Sequence, residues 1–177
     1  MATYTKIYQH HFSNNKYFLD TCVLLFIFSS LVTTPQHLQV KVAKYSQALN
    51  SIINSQGGIF TSIIVLSEYI NRSARETYQT FFKSKYPNYK DYRKSQDFIP
   101  YAKIIENELE NILKTLKVIN HKNIKKELID LIKDYGSGNK DFNDQLIAEL
   151  CEDNNIHLIT DDKDFKFITQ NIQVITA

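Results

Sequence analysis

Residues 141–165, DFNDQLIAELCEDNNIHLITDDKDF, join an amphipathic helix to a short apolar strand, with carboxylates at both ends. Leu146, Ile147 and Leu150 recur at helical spacing, and Ala148 and Cys151 widen the apolar face. Asp141 or Asn143 can cap this helix, and Gly136-Ser137-Gly138 marks the loop before it. Asn154-Asn155 then turns the chain into IHLIT (156–160), a run rich in β-branched residues that reads as a strand. Asp161, Asp162 and Asp164 follow at its C-terminal end, the edge at which ligands sit in an open α/β sheet. The stretch holds eight acidic residues against Lys163 alone, a local charge of −7. Clustered carboxylates repel one another unless protonated or neutralised by a cation, and hard oxygen ligands of this kind suit Mg²⁺ or Mn²⁺. Capping plus an acidic turn explains the stretch by itself equally well, so acids elsewhere in the chain have to decide.

Tyr17-Phe18-Leu19 reads as a short buried strand ending on Asp20, after which Thr21-Cys22-Val23 turns into an apolar helix to about Ser29. Residues 1–16, with the adjacent His10-His11, read as a polar lead-in with surface histidines. Pro35 opens a helix that runs through Asn54, with Leu38, Val42, Tyr45 and Leu49 on one face. Gly57-Gly58 breaks it before a second strand at Ile59-Phe60, and Thr61 or Ser62 caps the next helix. Glu68 interrupts the apolar face of that helix, one turn after Ile64. A carboxylate there needs a cation or a neighbouring arginine such as Arg72. Residues 116–119 and 172–175 read as further strands, and Ile124, Leu128, Ile129 and Ile132 mark a helix that ends at Gly136. Strand–helix units in this order predict an α/β fold: a three-layer α/β/α sandwich on a mostly parallel sheet of about five strands. The chain, 1–177, reads as a single domain with a helical insertion at about 73–115, divided by Pro87 and Pro100.

At 43% hydrophobic and 23% charged residues the chain can bury a core, which excludes a disordered protein. Cys22 and Cys151 have neither disulfide nor zinc-ligand spacing, and no signal peptide or membrane span is legible, so a cytoplasmic protein is expected. The net charge is only +2, but residues 72–126 carry +7. Within it, Arg72, Arg75, Lys83, Lys85, Lys90, Arg93 and Lys94 alternate with Tyr and Phe, a pattern suited to a phosphate backbone and unpaired bases. Most of these aromatics are expected to pack the helices. An acidic pocket beside a basic surface is what a metal-dependent enzyme acting on a polyanion needs.

Asp20, Glu68, Asp144 and Asp162 share one positional logic: each lies where it can face the carboxyl edge of the sheet. In FLDTCVLL, VLSEYINR, DQLIAELC and LITDDKDF the chain resembles the PIN domain family, including the VapC-type toxins of toxin–antitoxin pairs. The resemblance implies a Mg²⁺- or Mn²⁺-dependent endoribonuclease with these four acids as catalytic and metal-holding residues. Asp141 is then a substitute or neighbour for Asp144, and Thr21, Thr160 and Asp164 are accessory groups. RNA is the expected substrate, with a cognate antitoxin and a homodimer as possible partners. Neutralising any one of the four acids is expected to leave metal-free stability level or raised.

Cys151 and His157 read as packing residues rather than nucleophiles. Two other readings compete: a PIN-like scaffold that binds RNA or protein without catalysis, and a HAD-like phosphohydrolase. The latter wants a second aspartate two residues after Asp20, where Cys22 stands.

Overall fold

The computed structural model describes residues 2–32, 35–120, 125–136, 138 and 141–177. Six parallel strands form one sheet: β1 (Thr3–Lys6), β2 (Lys16–Leu19), β3 (Gly58–Thr61), β4 (Lys117–Val118), β5 (His157–Ile159) and β6 (Gln173–Thr176), in the order β1-β6-β5-β2-β3-β4. The helices are α1 (Thr21–Phe28), α2 (Gln39–Asn54), α3 (Ile63–Thr77), α4 (Tyr89–Arg93), α5 (Phe98–Thr115), α6 (Lys125–Gly136) and α7 (Phe142–Asn154). The expected α/β/α sandwich is therefore present, with one strand more than expected.

That strand, β1, comes from the polar lead-in. It pairs only with β6, in register Thr3↔Gln173 to Lys6↔Thr176, at the edge of the sheet. An edge strand with mostly exposed side chains has no apolar run to betray it, because main-chain hydrogen bonds to a neighbour hold it. The polar stretch also contains a packed corner. The ring of His10 lies edge-on to Phe12, Tyr17 and His157, and its Nε2 is 3.4 Å from the Tyr17 hydroxyl. Half-burial lowers the pKa of both His10 and His157, so neither is a free surface imidazole.

Right-handed crossovers explain the layers. The chain moves β2→β3→β4 in one direction, and α1, α2, α3 and α5 pack on one another on one side of the sheet. It then returns from β4 to β5, next to β2, through α6 and α7, which pack together. β2 and β5 are thus neighbours whose connections leave in opposite directions, the crevice where α/β sheets hold ligands. The core of the sheet is Phe18, Leu19, Leu158, Ile159, Val174 and Ile175, all essentially fully buried.

Between β3 and β4 the chain runs from α3 through a π-helical turn (Tyr78–Phe82), α4 and α5. Its aromatics cover one another: Tyr92 is fully buried and stacks with Phe82 and Tyr78, and Phe98 meets it edge-on. Pro100 does not divide this segment. It lies in the first turn of α5, where its missing N–H has no helical partner to lose. Ile124 lies outside the described residues.

Gly57 joins α2 to β3 where the backbone passes closest to its neighbours. A Cβ there would stand 2.8 Å from the Ser13 carbonyl oxygen and 2.8 Å from Ile52 Cγ2. Gly57→Ala should therefore destabilise the fold by about 1–3 kcal/mol, read as a lower urea midpoint; an unchanged midpoint would show that this turn yields without cost.

Candidate functional site

The site is built on the register between β2 and β5. Leu19 pairs with Ile159, so Asp20, the first residue beyond β2, comes level with Thr160. The Asp20 N–H donates to the Ile159 carbonyl at 3.2 Å, and the Thr160 hydroxyl donates to Asp20 Oδ2 at 2.7 Å. Asp20 also caps α1: its Oδ1 accepts from the Thr21 N–H at 2.6 Å. The capping reading of Asp20 therefore holds, and the same carboxylate meets Thr160 at the sheet edge. Its carboxylate is 6% exposed, and burial raises its pKa against three hydrogen bonds that act to lower it.

Thr160 extends the arrangement by accepting from the Asp162 N–H at 3.0 Å, while Asp162 Oδ1 accepts from the Asp164 N–H at 2.8 Å. These bonds tie the acidic turn after β5 to the strand end. Across β2, the Thr21 hydroxyl donates to Glu68 Oε2 at 3.1 Å, and Arg72 reaches Glu68 Oε1 at 3.5 Å one turn along α3. Arg72 is thus the partner that Glu68 needs, and Thr21 and Thr160 are the hydroxyls that orient Glu68 and Asp20.

Asp141 caps α7 by accepting from the N–H groups of Asn143 and Asp144. Asp144 follows in the first turn, half-buried, and its pKa is pushed up to about 8 by burial, then by the charges of Asp162, Asp141, Asp20 and Asp164. A carboxyl raised this far marks negative charge without its balance. Asp141, Asp144 and Asp164 line a concavity of about 320 Å³, walled by Tyr135, Phe167 and Ile168. Among the described residues no group of three Asp, Glu, His or Cys side chains stands close enough together to hold a metal ion. Carboxylates are nonetheless the oxygen donors a hard divalent cation takes, and a cation among them would relieve the repulsion that, after burial, lifts Asp144.

Several contributors were not legible beforehand. The Cys22 thiol stands 3.3 Å from Asp20 Oδ2 and accepts from the Asp161 N–H at 3.2 Å, stitching α1 to the turn after β5. Burial and the Asp20 charge push this thiol's pKa well up, which keeps it protonated. Tyr45 and Lys41, one turn apart on α2, hold Asp161: the Tyr45 hydroxyl is 3.0 Å from Oδ1, and Lys41 Nζ is 2.6 Å from Oδ2. Their i,i+4 spacing was the available signal, but nothing local says that the start of α2 reaches this sheet edge.

Of the seven basic residues in 72–94, four are engaged within the chain: Arg72 on Glu68, Arg75 over Tyr89, Lys85 on Asp97 and Arg93 over Phe98. Lys83, Lys90 and Lys94 are exposed. Among the described residues no helix is long and apolar enough to cross a membrane.

Asp20, Glu68, Asp144 and Asp162 thus lie near the C-terminal edge of the parallel sheet, where Asp20 feels the charge of Glu68, and Asp144 feels those of Asp20 and Asp162. The family model of the PIN domain matches residues 17–169, and the chain belongs to the PIN domain family. This assignment removes the HAD-like alternative. PIN domains are generally nucleases and commonly use divalent metal ions. Among solved structures the chain is similar to PAE2754 from Pyrobaculum aerophilum, with 14% identity, a TM-score of 0.49 and 90% of each chain covered. No curated protein sequence matches it.

Proposed function

We propose that this protein is a Mg²⁺- or Mn²⁺-dependent endoribonuclease whose site is Asp20, Glu68, Asp144 and Asp162, with Asp141 and Asp164 beside it. The observation that carries this reading is the β2–β5 register, which sets the buried Asp20 against Thr160 and ties the Asp162 turn to the same hydroxyl, with the Asp144 carboxyl raised by burial and by the charges of Asp162, Asp141, Asp20 and Asp164. Asp20, Glu68, Asp144 and Asp162 would hold the cation, which when bound supplies a more acidic water and a counter-charge for the phosphodiester oxygens. The chain's own groups do the positioning. The Thr160 hydroxyl and the Thr21 N–H fix the two oxygens of Asp20, and Thr21 and Arg72 fix those of Glu68. Such preorganisation lowers the reorganisation needed when charge develops at the scissile phosphate. Lys83, Lys90 and Lys94 are part of the same reading, as cations for flanking phosphates. So are a homodimer and a cognate antitoxin, as in VapC-type pairs; sedimentation and co-purification with the product of a neighbouring small gene would test these.

The direct test is two-fold. Mn²⁺ should raise the melting temperature of wild-type protein and should not raise that of Asp144→Asn, because ligand binding to the native state stabilises it. Single-stranded RNA should be cut in Mn²⁺ and left intact after chelation. Protein that neither cuts RNA nor responds to Mn²⁺ would instead be a scaffold.

A further inference from the structure

A second concavity, of about 390 Å³, adjoins the acidic one and has a different character. Lys6 of β1, Lys41 of α2, and Lys163 and Lys166 of the turn after β5 line it, together with Tyr4 and Asp162. Three segments far apart in sequence thus deliver four ammonium groups to one hollow. Lys41 is spent on Asp161, at 2.6 Å, so that pair is internally balanced. Lys6 donates to an Ala177 main-chain oxygen at 3.1 Å, and Lys166 lies 4.6 Å above the Phe167 ring. Asp162 is the other acidic side chain of the lining, beside Lys6, Lys163 and Lys166. Among the described residues the acidic concavity is lined by Asp141, Asp144 and Asp164 and by no lysine or arginine. The two hollows therefore have opposite sign and share one wall, the turn that carries Asp162, Lys163, Asp164 and Lys166. Tyr4 lines the lysine hollow and is 45% exposed, and burial followed by the Asp162 charge raises its hydroxyl pKa.

Resting on the nuclease reading, we propose that the lysine hollow seats the phosphate of single-stranded RNA next to the one at the carboxylate site, with that nucleotide's base against Tyr4. A strand lying over the shared turn would place one phosphate among the acids, where a divalent cation must accompany it, and the next among lysines, where none is needed. With Lys41 held by Asp161, the ammonium groups of Lys6 on β1 and of Lys163 and Lys166 on the turn after β5 suit a point-charge contact to phosphate. A half-exposed tyrosine ring beside them suits an unpaired base of any identity. The hollow thus gives grip and direction to the strand without reading its sequence.

The test uses Asp144→Asn protein in Mg²⁺, which keeps the strand uncut, and a labelled ten-nucleotide oligouridylate followed by anisotropy across a salt series. Adding K163Q/K166Q should weaken binding about tenfold at low salt and flatten the log K against log salt slope by about 1.4, two single-strand phosphate contacts. Tyr4→Ala should weaken it about tenfold with the slope unchanged, the signature of lost stacking. Wild-type affinity and slope in K163Q/K166Q would mean that these lysines only balance their acidic neighbours, and would overturn the proposal. Competition by inorganic phosphate with no dependence on Tyr4 would overturn it too, as a simple anion site. Cleavage by the otherwise wild-type protein, assayed in parallel in Mn²⁺, separates the two ideas. If it cuts RNA and K163Q/K166Q binds normally, only the hollow's role falls; if it neither cuts nor binds RNA, the nuclease reading falls and takes the hollow with it.

Discussion

Asp144→Asn should lose metal-dependent cleavage and, at the same time, make the metal-free protein more stable. Outer partners of metal ligands typically cost about 10–100-fold when removed, so if Asp144 holds the cation as proposed its loss should cost at least about 100-fold in kcat/KM. The stability effect has a worked sign. Burial and its acidic neighbours push the carboxyl up to about 8 in the folded chain, from an ordinary 3.8, so the folded state binds its proton more tightly than the unfolded state does. Stability from this group is complete below pH ~4 and is lost as pH rises towards 8, the unfolded chain ionising first. Asn cannot ionise, so its gain in melting temperature over wild type should grow from pH 5 to pH 8 and level off above. Mn²⁺ should remove the gain by stabilising only the wild type. A gain that is flat with pH would show that Asp144 is not held among its acidic neighbours.

Asp20→Asn should abolish cleavage to the same extent without that stability gain. The like-charge argument drawn from the sequence treated all four acids alike, but the structure separates them. Asp20 is buried and accepts from the Thr160 hydroxyl, the Thr21 N–H and the Cys22 thiol, and an amide keeps only part of that acceptor capacity. Relief of repulsion is offset there by lost hydrogen bonds.

Glu108→Ala should be the most damaging single change away from the site. Glu108 lies on α5, 7% exposed, and joins three elements through one carboxylate. Oε1 accepts from the Ser30 N–H at 2.6 Å and its hydroxyl at 2.8 Å, just beyond α1, and Oε2 accepts from the Tyr69 hydroxyl of α3 at 2.8 Å. Hydrogen bonds to a charged group contribute about 1.5–3 kcal/mol each, and truncation strands the donors as well. A loss of at least about 3 kcal/mol is expected, a large share of the stability of a typical domain. It should appear as a lower urea midpoint with an unchanged m-value. Glu108→Gln should lose less, since an amide oxygen still accepts. A midpoint within experimental error of wild type would show that α5 is held by its apolar face alone.

The sequence by itself determined the α/β order and most of the elements. Strands followed by Asp20 and by Asp161-Asp162, and a helix with Asp144 in its first turn, were legible because each depends on local periodicity and capping. Glu108 shares a helical face with the buried Ile105 and Ile112, at i−3 and i+4, which is the local sign that its carboxylate is held inside. Tertiary structure alone decided the rest. That the polar residues Thr3–Lys6 form a strand depends on β6, more than 160 residues away, offering its backbone. That Asp20 meets Thr160 depends on the β2–β5 register. Lys6, Lys41 and Lys163 come from three unrelated local patterns and meet only because β1, the start of α2 and the turn after β5 end at one sheet edge. Periodicity reports which face of an element seeks the core, a local property of a few turns. Which side chains meet across a crevice is set by strand order and register, and those are decided by the whole sheet.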